Sequence, residues 1–227
     1  MHNRATTIGG FMVNAFMHTA ALALPTDTSP FIRVCDDLVA QGWSAIPHFF
    51  SSDLINSLRS ELMEHAEYNR LQAAHIGKGE QRALRSDIRG DETRWLNGES
   101  LAQRDFLAQL ELLRHALNSQ LFLGLNDLEA HFALYPPGTG YSQHIDSFQN
   151  NNLRRITIVA YLNEHWQPDE GGELLLFNDQ NEIYQRILPE AGTLACFISE
   201  EIQHAVATTQ RPRASIAGWF RVRDNLF

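Results

Sequence analysis

Three features of the sequence predict a mainly β protein with supporting helices, of the α+β class. Residues 29–124 hold three segments with helical periodicity. Residues 125–223 hold eight short alternating segments with no helical segment between them, and turn signals separate these segments. Consecutive strands without crossover helices close into a sandwich or barrel, such as a jelly roll, and the helices then pack on the outside of one sheet. A chain of 227 residues that is 44% hydrophobic and 20% charged is long enough to bury one full core.

Residues 1–28 carry an early Arg4 and a small apolar stretch, faintly like an export signal, but Asn14 and His18 interrupt it. Met12 and Met17 also offer later start positions. This part is expected to be a poorly ordered extension, with a cytoplasmic location favoured over export. A single domain is expected over 29–227, with helical support in 29–124 and the β core in 125–223. Ser29-Pro30 is a helix-start signal, a capping hydroxyl followed by proline at the first helical position. That helix runs to Gln41 and stops at Gly42; residues 42–50 then read as a short strand. Ser51 or Ser52 caps a second helix, in which Leu54, Leu58 and Leu62 recur every four residues as one apolar stripe.

Residues 75–94 have no clean periodicity, three glycines and many charges, and read as a solvated, mobile loop. A third helix starts at about Ser100 and runs to Phe122. The eight strand segments then cover 128–135, 141–147, 154–163, 172–178, 182–188, 193–199, 202–208 and 213–222. Pro136-Pro137-Gly138, Gly171-Gly172, Asn178-Asp179, Pro189, Gly192 and Pro212 punctuate them.

Charge and composition exclude several classes. Acidic residues outnumber basic ones by 27 to 18, and Lys78 is the one lysine. That balance argues against a nucleic-acid binder, which needs a basic face. No apolar run is long enough to span a membrane. Cys35 and Cys196 lie far apart and read as buried thiols of a reducing cytosol, although one disulfide is conceivable; without a Cys-x-x-Cys, a thiolate zinc site is not expected.

The chemistry concentrates around His144-Ile145-Asp146. Residues i and i+2 of a strand point to one face, so both side chains can bind one ion. Alone the pair is a weak pattern. His204 offers a third ligand, and two histidines with one carboxylate form the facial triad of non-haem Fe(II) oxygenases, which leaves three metal positions open. With ten histidines in the chain, a third one is uninformative by itself. Arg213 adds weight. Strand parity puts Arg213, Ser215, Ala217 and Trp219 on one face, and Ala214, Ile216, Gly218 and Phe220 on the other. An arginine pointing into a barrel is costly unless an anion meets it, and Ser215 and Ala217 leave room for one. The plain alternative is an arginine paired with a protein acid at the rim. On 154–163, Arg155, Thr157, Val159 and Tyr161 share one face, while Ile156, Ile158, Ala160 and Leu162 face the helices. Tyr161 could donate to the same anion as Arg213, and Tyr135 to its other end; either could equally be a packing residue.

His144-x-Asp146, His204, Arg213 nine residues later and Trp219 together resemble the Fe(II)/2-oxoglutarate dioxygenases. The likeness is greatest to prolyl 4-hydroxylases of the hypoxia-inducible-factor type and to bacterial relatives that modify elongation factor Tu. It covers roughly residues 40–222, and includes YPPGTGYSQHID (135–146), with a loop one residue shorter than the family's, and SDIRGDETRWL (86–96), similar to the segment closing the family's finger loop.

The resemblance implies a double-stranded β-helix (jelly-roll) core of eight strands with N-terminal helices on one sheet. It implies Fe(II) on His144, Asp146 and His204, and the distal carboxylate of 2-oxoglutarate on Arg213 with Tyr161 and Thr157 beside it. Tyr135 would bond the cosubstrate near the metal, Trp219 would wall the metal pocket, and Tyr141 would lie at the target prolyl. Arg89, Asp91 and Arg154 would meet the substrate or the closing loop. The implied reaction consumes O2 and 2-oxoglutarate, releases succinate and CO2, and hydroxylates C4 of a prolyl residue in a protein, with elongation factor Tu the implied target and ascorbate a further cofactor candidate. Asp146 stands where related halogenases have a small residue, so hydroxylation is expected. A monomer that binds neither nucleic acid nor membrane is expected, and oxygen sensing is an open role. The alternatives are an oxygenase acting on another protein residue or a small molecule, and a non-catalytic jelly-roll sensor.

Overall fold

The first helix, α1 (Pro30–Gln41), begins at the proline and ends where Gly42 turns left-handed at φ 79°, its N–H donating to Leu38 O. Ser29 does not cap through its hydroxyl as expected; its carbonyl accepts instead from Ile32 and Arg33 N–H. The computed structural model describes residues 29–74, 88–146 and 153–223, so the expected N-terminal extension lies outside the described residues. Helix α2 (Ser52–Glu67) is capped by Ser51 Oγ, and α3 (Leu101–Leu121) by Ser100 Oγ. Each satisfies one of the first-turn N–H groups that a helix cannot satisfy itself.

Among the described residues eleven strands accompany the helices: β1 (Trp43–Ile46), β2 (Gln72–Ala73), β3 (Glu92–Trp95), β4 (Asp127–Tyr135), β5 (Tyr141–His144), β6 (Arg154–Tyr161), β7 (Leu174–Phe177), β8 (Ile183–Ile187), β9 (Leu194–Ile198), β10 (Gln203–Val206) and β11 (Arg213–Arg221). The larger sheet has the order β1-β9-β6-β11-β4-β3-β2 and the smaller β5-β10-β7-β8. All named pairings are antiparallel. Strands β4 to β11 are the eight read from the sequence, and they make a jelly-roll core. Strands β2 and β3 were not expected. Glu92–Trp95, at the edge of the segment read as loop, instead pairs with β4, Trp95 opposite His131. Of the rest of that segment, residues 88–91 lead into β3 and residues 75–87 lie outside the described residues.

The helices cover the outer face of the larger sheet, as parity predicts. Leu58 and Leu62 of α2 and Phe106, Leu110, Leu113 and Leu117 of α3 pack in one cluster with Ile156, Ile158, Ile216 and Phe220. All of them are buried, so cutting any one leucine to alanine would cost about 2–5 kcal/mol. Cys35 and Cys196 are free, buried thiols of this layer. Among the described residues no helix is long and apolar enough to cross a membrane. The inner face of the larger sheet meets the smaller sheet, and the cavity between them holds the site.

Candidate active site

The site is built by register. His204 on β10 and His144 on β5 are direct partners across an antiparallel pair, which brings two residues distant in sequence to ring centroids 4.2 Å apart. Asp146 does not share the strand as parity assumed: β5 ends at His144, and Asp146 sits in the bend that follows. It still converges, with Oδ1 3.5 Å from His144 Nε2 and Oδ2 3.6 Å from His204 Nε2. The three offer ligand atoms within 4.8 Å of one another.

Hydrogen bonds fix the orientation and tautomer of each group. His144 Nδ1 lies 2.8 Å from Ser142 O, and His204 Nδ1 lies 3.1 Å from Ile202 O. A carbonyl only accepts, so Nδ1 carries the proton in both rings and each Nε2 lone pair is left to ligate. Asp146 Oδ2 accepts from Thr157 Oγ1 at 2.8 Å and from Trp219 Nε1 at 2.9 Å. Thr157 also meets Ser199 Oγ at 2.9 Å. Burial works against the charge on Asp146, but His204, His144 and the hydrogen bond from Trp219 hold its carboxyl well below the usual range. Burial pushes His204 down to about 4, against the pull of Asp146, so the ring is neutral at neutral pH. An ionised carboxylate beside a neutral imidazole is the donor state that a divalent metal requires.

At the other end of the cavity Arg213 is 1% exposed. Its Nε donates to Gly172 O at 2.7 Å and its Nη1 to Ser215 Oγ at 3.2 Å, and among the described residues no carboxylate pairs with it. Its guanidinium lies 5.2 Å from the ring centres of both Tyr135 and Tyr161. Among the described residues the buried Tyr161 hydroxyl has no hydrogen-bond partner, and burial pushes it up to about 12 against the pull of Arg213. Burial, then Asp91, also pushes Tyr135 well above its ordinary value, against the same arginine. An unpaired buried cation beside an unpaired buried donor fits one missing partner, a carboxylate. The cavity has a volume of about 410 Å³, and both the Arg213 end and the His144/Asp146/His204 end line it. A small dicarboxylate held by Arg213 therefore fits the space below the ligand triad, and the donor set there fits iron.

The remaining expected residues gather at the mouth. Tyr141 stacks on His144 at 3.7 Å. Arg89 bridges to Tyr141 and makes a two-pronged pair with the buried Asp91, at 2.7 and 2.9 Å. Burial would lower the Arg89 pKa, but Asp91 holds it above its ordinary value. Arg154 lies 3.5 Å over the Trp219 ring and pairs with Glu129. Two neighbourhoods differ from expectation. Thr157, expected beside Arg213, stands opposite Trp219 and bonds Asp146 instead. Arg155, expected on the inner face, pairs with Glu200 at 3.1 Å near the surface. The cause is an irregularity at the end of β11, where Phe220 pairs with Ile156 but Arg221 pairs with Arg154, so Arg155 is skipped and Arg154 lines the cavity.

His131 and Trp95 also line the cavity and were not singled out from the sequence. His131 is legible in hindsight, because parity on β4 places it on the face of Tyr135. Its ring lies 5.1 Å from Trp95 and 5.6 Å from Trp219, and its Nδ1 is 3.0 Å from Phe132 O. Burial, helped by Arg89, pushes it down to about 4.

A jelly roll carrying a two-histidine, one-carboxylate face above a buried, unpaired arginine defines the class of non-haem iron oxygenases with a 2-oxo acid cosubstrate. Residues 130–221 match the 2OG-Fe(II) oxygenase superfamily. A Pseudomonas putida prolyl-4-hydroxylase of known structure is 39% identical, with a TM-score of 0.76 over 86% of this chain and 100% of that one. A Trichoplax adhaerens prolyl hydroxylase, solved with a hypoxia-inducible-factor peptide, is 25% identical, with a TM-score of 0.74 over 84% of this chain and 88% of that one. Mouse Egl nine homolog 1 is 31% identical over 146 residues, which are 59% of this chain but 35% of that protein. The chain belongs to the 2OG-Fe(II) oxygenase superfamily, with prolyl hydroxylases among its homologues in both sequence and structure. That superfamily uses Fe(II), 2-oxoglutarate and O2.

Proposed function

We propose that the protein is a prolyl 4-hydroxylase acting on a prolyl residue within a protein. The observation that carries the reading is one cavity with a metal-competent triad at one end and the uncompensated Arg213 at the other. Homology to prolyl hydroxylases supports the choice of target residue. Within that reading, His144, Asp146 and His204 hold the iron. Arg213 binds the distal carboxylate of 2-oxoglutarate, and Tyr161 donates its hydroxyl to it. Tyr135, near Arg213 on the neighbouring strand, contacts the same cosubstrate. Thr157 and Trp219 keep Asp146 turned to the metal. Tyr141, Arg89, Asp91 and Arg154 frame the mouth, where a peptide enters and water is kept from the metal. The bound iron, with 2-oxoglutarate and O2, supplies the oxidising chemistry that yields succinate, CO2 and one oxygen atom for C4 of the prolyl. Elongation factor Tu is the first target to try, and a cytoplasmic setting goes with it.

The test is purified protein with Fe(II), 2-oxoglutarate and elongation factor Tu. Succinate should form, and a tryptic peptide of the target should gain the mass of one oxygen atom; Asp146→Ala should do neither. Turnover on a small molecule, with no oxidised peptide in any protein of a lysate, would sink the proposal.

A further inference from the structure

A second cluster of metal-ligating side chains lies on the other side of the larger sheet. His65 on α2 is 6% exposed, and among the described residues neither of its ring nitrogens has a hydrogen-bond partner. A buried imidazole left this way forfeits about 1–3 kcal/mol for each unsatisfied group. Its Nε2 is 3.6 Å from Glu61 Oε1, one helical turn earlier, and 3.6 Å from Glu99 Oε1, just before α3. The three offer ligand atoms within 4.8 Å of one another. The His65 ring packs 6.2 Å from Phe132, whose side chain belongs to the helix-side core, whereas the neighbouring His131 faces the cavity. The cluster is therefore separate from the His144/Asp146/His204 site.

The spacing is informative. A charged imidazolium paired with a carboxylate closes to about 2.7–2.9 Å. Metal bonds of about 2.1 Å at the tetrahedral angle place ligand atoms about 3.4 Å apart. The observed 3.6 Å is close to the second value, and His144 and His204 stand at 3.5 and 3.6 Å from Asp146. Both carboxylates are also held in place. Glu61 accepts from Ser100 Oγ at 2.6 Å and from Gln103 Nε2. Glu99 accepts from Asn97 Nδ2 at 3.3 Å and from Arg94 Nη2 at 3.2 Å. The Glu99 side chain is 39% exposed, which gives an ion a way in.

We propose that Glu61, His65 and Glu99 form a second, structural site for a divalent cation of the zinc type, completed by water. One nitrogen and two carboxylate oxygens suit zinc. The ion would pin the end of α2 to the loop that joins β3 to α3, and would neutralise two carboxylates of which, among the described residues, Glu99 has Arg94 against it and Glu61 has no arginine or lysine. The site does not depend on the reaction proposed above.

The test uses the full chain, stripped with chelator and titrated with Zn2+ alone, with bound zinc counted by elemental analysis after gel filtration. Wild type should hold two equivalents, one at each cluster. Asp146→Ala should hold one, and Asp146→Ala/Glu99→Gln none. Zn2+ should raise the melting temperature of Asp146→Ala but not of the double variant. Glu99 is exposed enough for its substitution to leave the fold intact, which far-ultraviolet circular dichroism checks; His65→Gln gives an independent second reading. An Asp146→Ala protein that binds no zinc, or a double variant that keeps its equivalent, overturns the proposal. The first outcome would leave His65 as a plain link between two carboxylates.

Discussion

Trp219 donates its indole N–H to Asp146 Oδ2 at 2.9 Å, joining the top of β11 to the bend after β5. Thr157 donates to the same oxygen. Two donors on one oxygen leave Oδ1, on the His144 side, as the freer lone-pair carrier. Replacing Trp219 with Phe keeps an aromatic wall under Arg154 but removes one of the two donors. Iron affinity should fall by about 10- to 100-fold, as for other losses of a bond that orients a metal ligand. Titrating Fe(II) against succinate formation measures it. Saturating iron should restore most of the turnover, whereas a residue needed for chemistry itself would show a loss that iron cannot rescue.

Tyr161→Phe separates binding from stability. The buried Tyr161 hydroxyl has no hydrogen-bond partner among the described residues, so deleting it removes an unsatisfied donor. Urea denaturation of the cosubstrate-free protein should show a stability equal to or above that of wild type, within about 1 kcal/mol. The KM for 2-oxoglutarate should nevertheless rise about 10- to 100-fold, the worth of one hydrogen bond to a charged acceptor. A loss of stability together with an unchanged KM would mean that the phenol serves packing only.

His131 gives the folded chain a pH signature. Its ordinary value is 6.5, and burial with Arg89 nearby pushes it down to about 4. Between those values the unfolded chain binds a proton that the folded chain refuses. Its contribution to stability is thus complete above about 6.5 and is lost as pH falls toward 4, at no more than about 1.4 kcal/mol per pH unit. His204 acts in the same direction in the metal-free protein. In His131→Phe the slope of unfolding free energy against pH should shrink by up to one proton between pH 6.5 and 4.5. An unchanged slope would show that the folded chain protonates His131 readily.

Period and punctuation made most of the fold legible. The three helices carry their stops and caps in Gly42, Ser51 and Ser100, and turn signals bracket the stretches that become β4 to β11. Strand β3 was hidden because it is four residues long, sits at the end of a glycine- and charge-rich stretch, and owes its conformation to β4 rather than to its own pattern. The Arg213 face was legible because an unbroken nine-residue strand obeys parity. Asp146 and Arg155 were misplaced for one reason: parity fails where a strand ends or a pairing skips a residue, and no local sequence signal marks either event here. The Glu61/His65/Glu99 cluster could not be read at all, since it joins a helix face to a loop about forty residues on.

The Gly171-Gly172 turn bears directly on the Arg213 end of the cavity. Gly172 has φ +73°, and its carbonyl accepts from Arg213 Nε. A Cβ there would lie 3.0 Å from Trp166 Cζ2, 3.1 Å from Arg213 Cδ and 3.2 Å from Thr209 Oγ1. These are side-chain atoms, two of them able to shift, so Gly172→Ala should fold with a loss of about 1–2 kcal/mol from the left-handed backbone. The displaced atom that matters is Arg213 Cδ, and the guanidinium would move off the axis of the cavity. The KM for 2-oxoglutarate should therefore rise about tenfold or more, with iron affinity unchanged. Gly171→Ala is the contrasting control. Gly171 sits at φ 66° and ψ −151°, a region open essentially to glycine alone, and its Cβ would lie 2.2 Å from the Thr208 carbonyl oxygen. Backbone cannot step aside as a side chain can, so this variant should lose several-fold more stability in urea melts than Gly172→Ala. If both variants lose stability equally and keep the wild-type KM, the turn shapes the fold and does not position Arg213.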